Sequence, residues 1–313
     1  MKFQPYDLNN TLWLAEPAAL RRIAAQVLRV VGCPTGRDLA THRRELLDDA
    51  KQTAAKAVRA AKGRIGVIPV YGPVDQRYTS QIEKAGGTPL EYVSAAFDTL
   101  MADPAITAIV LDVDSPGGSS YGVEELSDKI FAGRGAKKIY AVANSMACSA
   151  AYWIASAAEV LCCTPGGDVG SVGVYCMHVD ESKALEEEGL TVTLISAGRY
   201  KTECASSSPL SPDARDYLQQ SVDETYGKFI AAVARNRGVP PADVRAKYGQ
   251  GRVVGADAAL AAGMIDKVMS FDDLLARLSG GSSATAGKGA TSVAQLRLRH
   301  EQRKRNLAGV AMK

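Results

Sequence analysis

Histidine is scarce in this chain of 313 residues, which contains only three. His42 lies in a charged amino-terminal stretch, His178 follows a glycine-rich run of strand length, and His300 lies in a basic tail. None of the three is well placed in the sequence to act as the base for a nucleophile. If the chain carries out nucleophilic catalysis, a lysine is therefore the better candidate for the general base.

Long apolar runs are also missing, since no stretch approaches the roughly 18 uninterrupted apolar residues of a membrane span. Residues 1–7 lack the basic start and apolar segment of a signal peptide. The formal net charge of +3 is too small to indicate nucleic-acid binding by itself. These absences predict a soluble cytoplasmic protein with no membrane span and no requirement for nucleic acid.

The six cysteines show neither CxxC spacing nor the pattern of a small disulfide framework. Most of them lie in apolar surroundings, where a free cysteine behaves as a small buried hydrophobic residue. The sequence therefore predicts buried free thiols and no metal site. These cysteines are Cys33, Cys148, Cys162, Cys163, Cys176 and Cys204.

Composition divides the chain into three regions. Residues 1–62 are predicted to form an amino-terminal helical arm, with helices at 17–31 and 37–61. Residues 63–278 are predicted to form the main domain. Residues 279–313 begin with a Gly/Ser-rich linker and end in a basic cluster, which predicts a flexible basic tail that is either simply solvated or an electrostatic tether.

Strand and helix patterns alternate through the main domain. Apolar runs of strand length occur at residues 65–70, 106–113, 139–143, 160–163, 172–175 and 192–195. Helical patterns lie at residues 90–101, 123–131, 149–158 and 181–188, and a longer helix begins after Ser211. This alternation predicts an α/β fold of repeated βαβ units with a mostly parallel sheet.

Ser149 is the strongest candidate nucleophile. It lies where a short apolar strand gives way to a helix of small residues, and small neighbours such as Ala150 let a substrate backbone approach closely. The positive end of the helix favours a developing negative charge, and the Ser149 N–H can point toward an oxyanion. The alternative is an ordinary serine at a helix N-cap.

Three further sites could complete an acyl-transfer centre. The turn Asp114-Ser115-Pro116-Gly117-Gly118 follows a strongly apolar strand, where open α/β sheets bind ligands. Lys201 follows Gly-Arg-Tyr and could be a base if burial or a neighbouring positive charge keeps it neutral. Ser171 could hydrogen-bond the lysine amine. The alternatives are an ordinary turn, a solvated lysine and a turn hydroxyl.

Together these segments resemble the signal peptide peptidase A family of serine proteases, a branch of the ClpP/crotonase superfamily. The resemblance covers residues 63–270. It rests on Ser-Pro-Gly-Gly, on Ser-Met-Ala-Cys-Ser-Ala-Ala-Tyr-Trp-Ile-Ala, on Gly-Ser-Val-Gly-Val, on Gly-Arg-Tyr-Lys, and on a closing segment at residues 251–266. The order of the motifs and the serine–lysine spacing match as well.

The resemblance implies a role for each site. Ser149 matches the nucleophile, Lys201 the general base, and Ser171 the hydroxyl that orients the lysine. Gly118 and the Ser149 backbone amide match the oxyanion hole, with Gly117 shaping the turn. The family often has two glycines where this chain has alanines after Ser149, which implies a narrower cleft. No metal or other cofactor is implied.

The resemblance also implies a biological setting. A family member with an amino-terminal arm and a basic tail, and without a membrane anchor, is similar to the head maturation proteases of tailed bacteriophages. That branch implies phage scaffold and capsid proteins as substrates, a homo-oligomer, and activity in the host cytoplasm and procapsid interior. The alternatives are a soluble cellular peptidase, a noncatalytic assembly module with an inactive protease fold, and crotonase-type acyl-CoA chemistry.

Overall fold

A computed structural model describes residues 65–279 and the backbone of one short strand, β1, nearer the amino terminus. Helices and strands alternate along the described chain, as the sequence predicts. The strands are β1 (Trp13–Ala15), β2 (Ile65–Tyr71), β3 (Val74–Asp75), β4 (Thr88–Pro89), β5 (Ala108–Ser115), β6 (Gly117–Ser119), β7 (Lys138–Cys148), β8 (Val160–Cys163), β9 (Asp168–Gly170), β10 (Val253–Gly255) and β11 (Lys267–Val268). The helices are α1 (Ser80–Lys84), α2 (Leu90–Ala102), α3 (Val123–Gly133), α4 (Ala150–Ser156), α5 (Ser182–Glu187), α6 (Pro212–Arg237), α7 (Pro241–Lys247), α8 (Ala256–Ala261) and α9 (Phe271–Leu278).

The larger sheet is mostly parallel and carries the core. Its main path runs β10-β9-β7-β5-β2, with β8 also beside β7 and β11 beside β8. Every one of these pairings is parallel except that of β10 with β9. The central strand β5 is buried along nearly its whole length. A near-continuous apolar strand of this kind is what a parallel sheet covered on both faces requires.

A second, smaller sheet lies in the order β1-β6-β3-β4. Strand β6 follows β5 after a single residue, Pro116, so the chain passes directly from the larger sheet into the smaller one. Strand β3 pairs with β6 in parallel, and β1 pairs with β6 in antiparallel fashion on its other side. The smaller sheet therefore adjoins the carboxyl end of β5.

Helix α4 is enclosed by the rest of the domain, and all seven of its residues are buried. Trp153 stacks on Phe229 of the long helix α6, with ring centroids 4.8 Å apart. Ser211 caps α6 through a hydrogen bond that its hydroxyl accepts from the Ala214 amide, as the sequence predicts. The long helix thus fixes α4 from one side, while α3 also packs against α4.

Arg134 ties the carboxyl ends of two helices together. Its guanidinium donates hydrogen bonds to the carbonyls of Ser156, Ala157 and Ala158 at the end of α4. It also donates to the carbonyl of Asn236 near the end of α6. Carbonyls at a helix end have no partner within the helix, so one cation here satisfies several of them at once.

The prediction of two further strands is wrong. Residues 172–175 form no strand, and only Tyr175 takes part in an isolated β-bridge. Residues 192–195 have no regular structure. Both runs are apolar, but residues 192–195 are exposed to solvent. No other strand or core residue of the described chain covers them. The helix predicted at residues 181–188 is present as α5, and it too has no buried residue.

The predicted helices at residues 17–31 and 37–61 and the basic tail after residue 279 lie outside the described residues. No helix within the described part of the chain is long and apolar enough to cross a membrane. Most of the domain predicted at residues 63–278 is described, and its apolar side chains form one large core cluster together with a smaller one under α9.

Arg237, at the end of α6, forms a two-armed ion pair with Asp266. The nitrogen–oxygen distances are 2.9 and 2.8 Å, and the amide of Leu161 also donates to Asp266. Burial opposes ionisation of the carboxyl, but these hydrogen bonds and the positive charge hold the pKa of Asp266 below its ordinary value. The side chain of Arg237 is only 6% exposed, so loss of its partner would leave a buried charge.

Replacing Asp266 with asparagine should lower the free energy of unfolding by roughly 2 kcal/mol, less than for a fully buried pair because the Asp266 side chain is 36% exposed. Because the folded carboxyl has the lower pKa, its stabilisation is complete above the unfolded value of about 3.9 and is lost as the pH falls through the folded value. The difference in Tm between wild type and Asp266→Asn should therefore narrow below about pH 4. Asp243→Asn, in the exposed pair with Lys247, is the control and should change Tm little.

Candidate active site

Ser149 lies between the end of β7 and the first residue of α4, in an unusual backbone conformation. Its φ of 55° and ψ of −121° lie outside the helical and extended regions that L-residues ordinarily adopt. Cys148 before it and Ala150 and Ala151 after it are completely buried. The residues on both sides of Ser149 are therefore small and buried.

The hydroxyl of Ser149 is buried and has no hydrogen-bond partner within the described part of the chain. A buried polar atom without a partner costs free energy, so such atoms are rare and concentrate where function needs them. The backbone amide of Ser149, in contrast, donates to the carbonyl of Gly170 at 2.7 Å. The amide assigned from the sequence to the oxyanion hole is therefore engaged in holding β7 against β9.

Gly117 and Gly118 form the first two residues of β6. Gly117 has a φ of 95°, which favours glycine, and its amide lies 3.2 Å from the Ser115 hydroxyl oxygen, to which it donates. A Cβ on Gly118 would lie 2.0 Å from the carbonyl oxygen of Val74, so no other residue fits against β3 there. Helix α4 contacts β6. The structure thus brings the glycine turn close to the helix that begins after Ser149.

Ser171 follows the last residue of β9, the strand that pairs with the end of β7. Cys148 and Gly170 are register partners, so Ser149 and Ser171 leave adjacent parallel strands at the same level. Ser171 is buried, has a φ of 53°, and donates its amide to the carbonyl of Arg252 at 2.8 Å. The structure therefore places these two predicted site residues side by side.

Lys201 is not part of this group of residues. It lies on an exposed segment, and its amide donates to the carbonyl of Gly198. The Ser149 hydroxyl has no partner within the described chain, so the Lys201 ammonium does not bond to it. His178 does not reach Ser149 either, since its ring lies 3.4 Å from the carbonyl of Ala205. Among the described residues, neither Lys201 nor His178 hydrogen-bonds the hydroxyl of Ser149, the candidate nucleophile.

Residues 176–206, which we call the lysine arm, lie between the predicted site residue Ser171 and helix α6. The other predicted site residue, Lys201, is part of this arm. The two ends of the arm are joined where the Glu181 amide donates to the Ser206 carbonyl and the Ser206 hydroxyl donates to the Glu181 carboxylate. Between these ends the arm is exposed and rich in apolar side chains. The large apolar residues exposed on it are Met177, Val179, Leu190, Val192, Leu194, Ile195 and Tyr200.

Asp112 is a residue near the site that the sequence analysis did not single out. Its carboxylate is buried in β5, accepts a hydrogen bond from the Asn144 amide at 2.8 Å and another from the Tyr71 hydroxyl. These bonds tie β5 to β2 and β7 just before the glycine turn and Ser149. The signal in the sequence is a carboxylate within the otherwise apolar segment 108–113. Its contacts are those of a residue that positions the strand ends.

The five cysteines within the described residues form no disulfide bond, and Cys148, Cys162 and Cys163 are buried. Cys33 lies outside those residues. Burial raises the pKa of Cys162 to about 11 and that of Cys163 to about 12. The reactive thiolate form of Cys162 and Cys163 is therefore scarce at neutral pH. Cys148, which lies next to Ser149, is buried as well. Within the same part of the chain, no group of three potential metal ligands is brought together.

Iodoacetamide at pH 8 should leave Cys148, Cys162 and Cys163 unmodified in the folded protein, because burial limits access to all three and also limits the ionisation of Cys162 and Cys163. Intact-mass and peptide analysis, with and without denaturant, would measure this directly. Hydrolysis of a protein substrate should survive the treatment. Stoichiometric alkylation of Cys163 in the folded protein, or activity lost in step with modification of Cys148, would contradict this expectation.

Comparison with known proteins identifies similar sequences. The model of peptidase family S49 matches residues 132–284. The head-tail preconnector protein GP5 of Enterobacteria phage P21 is 31% identical over 222 residues, which cover 71% of this chain and 44% of that protein. Capsid assembly protease C of Escherichia phage lambda is 31% identical over 245 residues, covering 75% and 55%. The chain thus spans about half the length of these relatives.

Cellular proteins are similar too. Protease 4 of Salmonella typhi is 32% identical over 176 residues, which cover 56% of this chain and 28% of that protein. Among solved structures, a mutant of ClpP1 from Listeria monocytogenes aligns with 70% of this chain and 98% of its own, with a TM-score of 0.42 and 12% identity.

Proposed function

We propose that the chain, whose residues 132–284 match the model of peptidase family S49, is a serine endopeptidase with Ser149 as nucleophile and Lys201 as general base. The observation that carries this proposal is the Ser149 hydroxyl, buried and without a hydrogen-bond partner in the described chain, at a sharp turn between strand and helix. A structural serine in that position would be expected to bond a neighbouring backbone group.

The reaction divides into two acyl transfers. The Ser149 oxygen attacks the scissile carbonyl carbon while neutral Lys201 takes the hydroxyl proton. When the tetrahedral intermediate collapses, the carbon–nitrogen bond breaks and the lysine returns that proton to the leaving amine. Lys201 then removes a proton from water, which attacks the acyl-enzyme and releases Ser149 with its proton restored.

The negative charge on the intermediate requires backbone donors that are not already engaged. For the first donor we propose the Gly118 amide, which lies beside α4 and has no side chain to obstruct it. Gly118 is paired with Leu14 of β1 and Val74 of β3, so its amide becomes available only when a neighbouring strand releases it. For the second donor we propose the amide of Ala150 instead of that of Ser149, because the latter is bonded to Gly170. Ala150 is the first residue of α4, and an amide at this position has no partner within its own helix.

We further propose that Lys201 reaches Ser149 of a neighbouring copy of the chain. Within one copy the two residues do not bond, and Lys201 lies on an exposed arm. Seven large apolar side chains are exposed on the lysine arm, and exposed apolar surface of this kind favours a contact with another protein surface. A homo-oligomer would cover the arm and complete the site, with Ser171, beside Ser149, orienting the arriving amine.

For the biological role we propose maturation of a bacteriophage head, with scaffold and capsid proteins as substrates in the host cytoplasm and procapsid interior. Two relatives support this role, the head-tail preconnector protein GP5 of phage P21 and the capsid assembly protease C of phage lambda. Similarity to Protease 4 of Salmonella typhi favours the second candidate, a cellular peptidase. The arrangement of Ser149 requires neither a metal nor a nucleotide.

Co-expression with a candidate scaffold and capsid protein would test the role. Mass spectrometry should detect discrete cleavage products with the wild-type chain and none with Ser149→Ala. A fluorophosphonate probe should label Ser149 in the purified wild-type protein. Labelling without cleavage of either phage protein would favour the cellular peptidase, and failure to label any serine would favour the noncatalytic assembly module.

A further inference from the structure

Strand β1 occupies the open edge of β6, next to the glycine turn. Trp13 pairs with Ser119, Leu14 with Gly118 and Ala15 with Gly117, in antiparallel register. Strand β1 is the last strand of the smaller sheet on this side. If it were removed, the backbone groups of β6 would form a free edge, which is the kind of surface to which an extended peptide adds as a new strand.

The position of β6 makes this edge relevant to the site. Gly118 is the proposed oxyanion donor, and α4, which begins directly after Ser149, contacts β6. A polypeptide that pairs with β6 therefore passes beside the nucleophile. Two of the three residues of β6 are glycines, so little side chain stands between its backbone and such a polypeptide.

On the basis of the proposed peptidase function, we propose that the segment Trp13–Ala15, which forms β1, is a built-in competitor that occupies β6, the strand with which a substrate would pair. A polypeptide substrate gains access only when this segment leaves β6. Covalent attachment gives the segment an effective concentration on the order of a millimolar, which offsets the weakness of a pairing only three residues long. The segment thus reduces substrate affinity without blocking the site completely.

Leu14→Pro is the variant that tests the competitor. Proline fixes φ at about −65° and has no amide hydrogen, so it disfavours the extended backbone that β1 needs in order to pair with β6. Leu14→Ala keeps the backbone amide and is the matched control. Both changes are made in the full chain in the Ser149→Ala background, so that binding is measured without turnover. The probe is fluorescein-labelled casein, an unfolded polypeptide, whose affinity is measured by fluorescence anisotropy.

Leu14→Pro should bind casein roughly twofold to tenfold more tightly than its parent, because a site closed by an internal competitor loses affinity in proportion to its closed fraction. Leu14→Ala should stay close to the parent. Hydrogen exchange at Gly117–Ser119 should quicken in the proline variant alone, since its pairing is lost.

Unchanged exchange at these residues would show that the strand does not form. Faster exchange with unchanged casein affinity would show that it does not compete, and either result overturns the proposal. Neither measurement needs a reaction. Failure of the peptidase assignment is recognised separately, by the absence of fluorophosphonate labelling at Ser149 in the wild-type protein.

Discussion

Ser149→Ala should reduce peptide-bond hydrolysis by at least about a thousandfold, because it removes the hydroxyl that we propose as the nucleophile. The same substitution should leave the fold intact and raise its stability by roughly 1 kcal/mol, since it removes a buried hydroxyl that has no hydrogen-bond partner among the described residues. Activity can be measured with labelled casein, and stability by thermal and urea unfolding. A loss of activity combined with a gain in stability is the expected signature of a catalytic side chain.

Ser145→Ala is the matched control for this prediction. Ser145 lies four residues earlier, on β7, also has a positive φ, and is exposed to solvent. Its replacement should change neither activity nor Tm appreciably. Substantial hydrolysis by a folded Ser149→Ala protein would refute the nucleophile assignment, and a large fall in its Tm would show that the hydroxyl is structural.

Lys201→Ala alone should be as inactive as Ser149→Ala, yet a mixture of the two inactive proteins should recover activity. In a mixed oligomer, an intact Lys201 from one copy meets an intact Ser149 from the other. With random mixing of equal amounts, up to about a quarter of the sites would contain both residues if each site joins two neighbouring copies. The mixture must be unfolded and refolded together, or co-expressed, so that the copies exchange.

Two controls make this result specific. Lys183→Ala, on the same arm, should retain activity by itself because Lys183 is not a proposed base. Lys183 is the second residue of α5. Refolding each inactive variant alone should restore nothing. If the mixture stays inactive although mass spectrometry shows mixed oligomers, the serine and lysine act within one copy. If Lys201→Ala alone is active, lysine is not the base.

Most of the sheet could be predicted from the sequence because its strands are buried. The apolar run at residues 160–163 matches β8 at both ends, and that at residues 65–70 matches β2 to within one residue. Residues 192–195 are just as apolar but form no strand, and Ile195 is 96% exposed. The hydrophobic pattern of a sequence identifies side chains that are suited to burial. It does not reveal whether the protein surface that buries them belongs to the same chain.

The candidate site was predictable in part. The motif order placed Ser149 and Ser171 together, and the register of β7 with β9 accounts for their proximity. The hydrogen bond from the Ser149 amide to Gly170 depends on that same register, which sequence patterns leave open. The pairing of β1 with β6 joins residues about a hundred positions apart, and three residues carry too little pattern to predict such a contact.

The lysine arm has a consequence for when this protein would be active. If each catalytic centre contains residues from two chains, the rate of hydrolysis per chain falls on dilution. A newly synthesised subunit then has no complete catalytic centre and cannot cleave nearby proteins. Proteolysis then begins at the concentration at which subunits meet. Confinement in a closed particle raises that local concentration, so packaging itself would start the reaction without a separate activator.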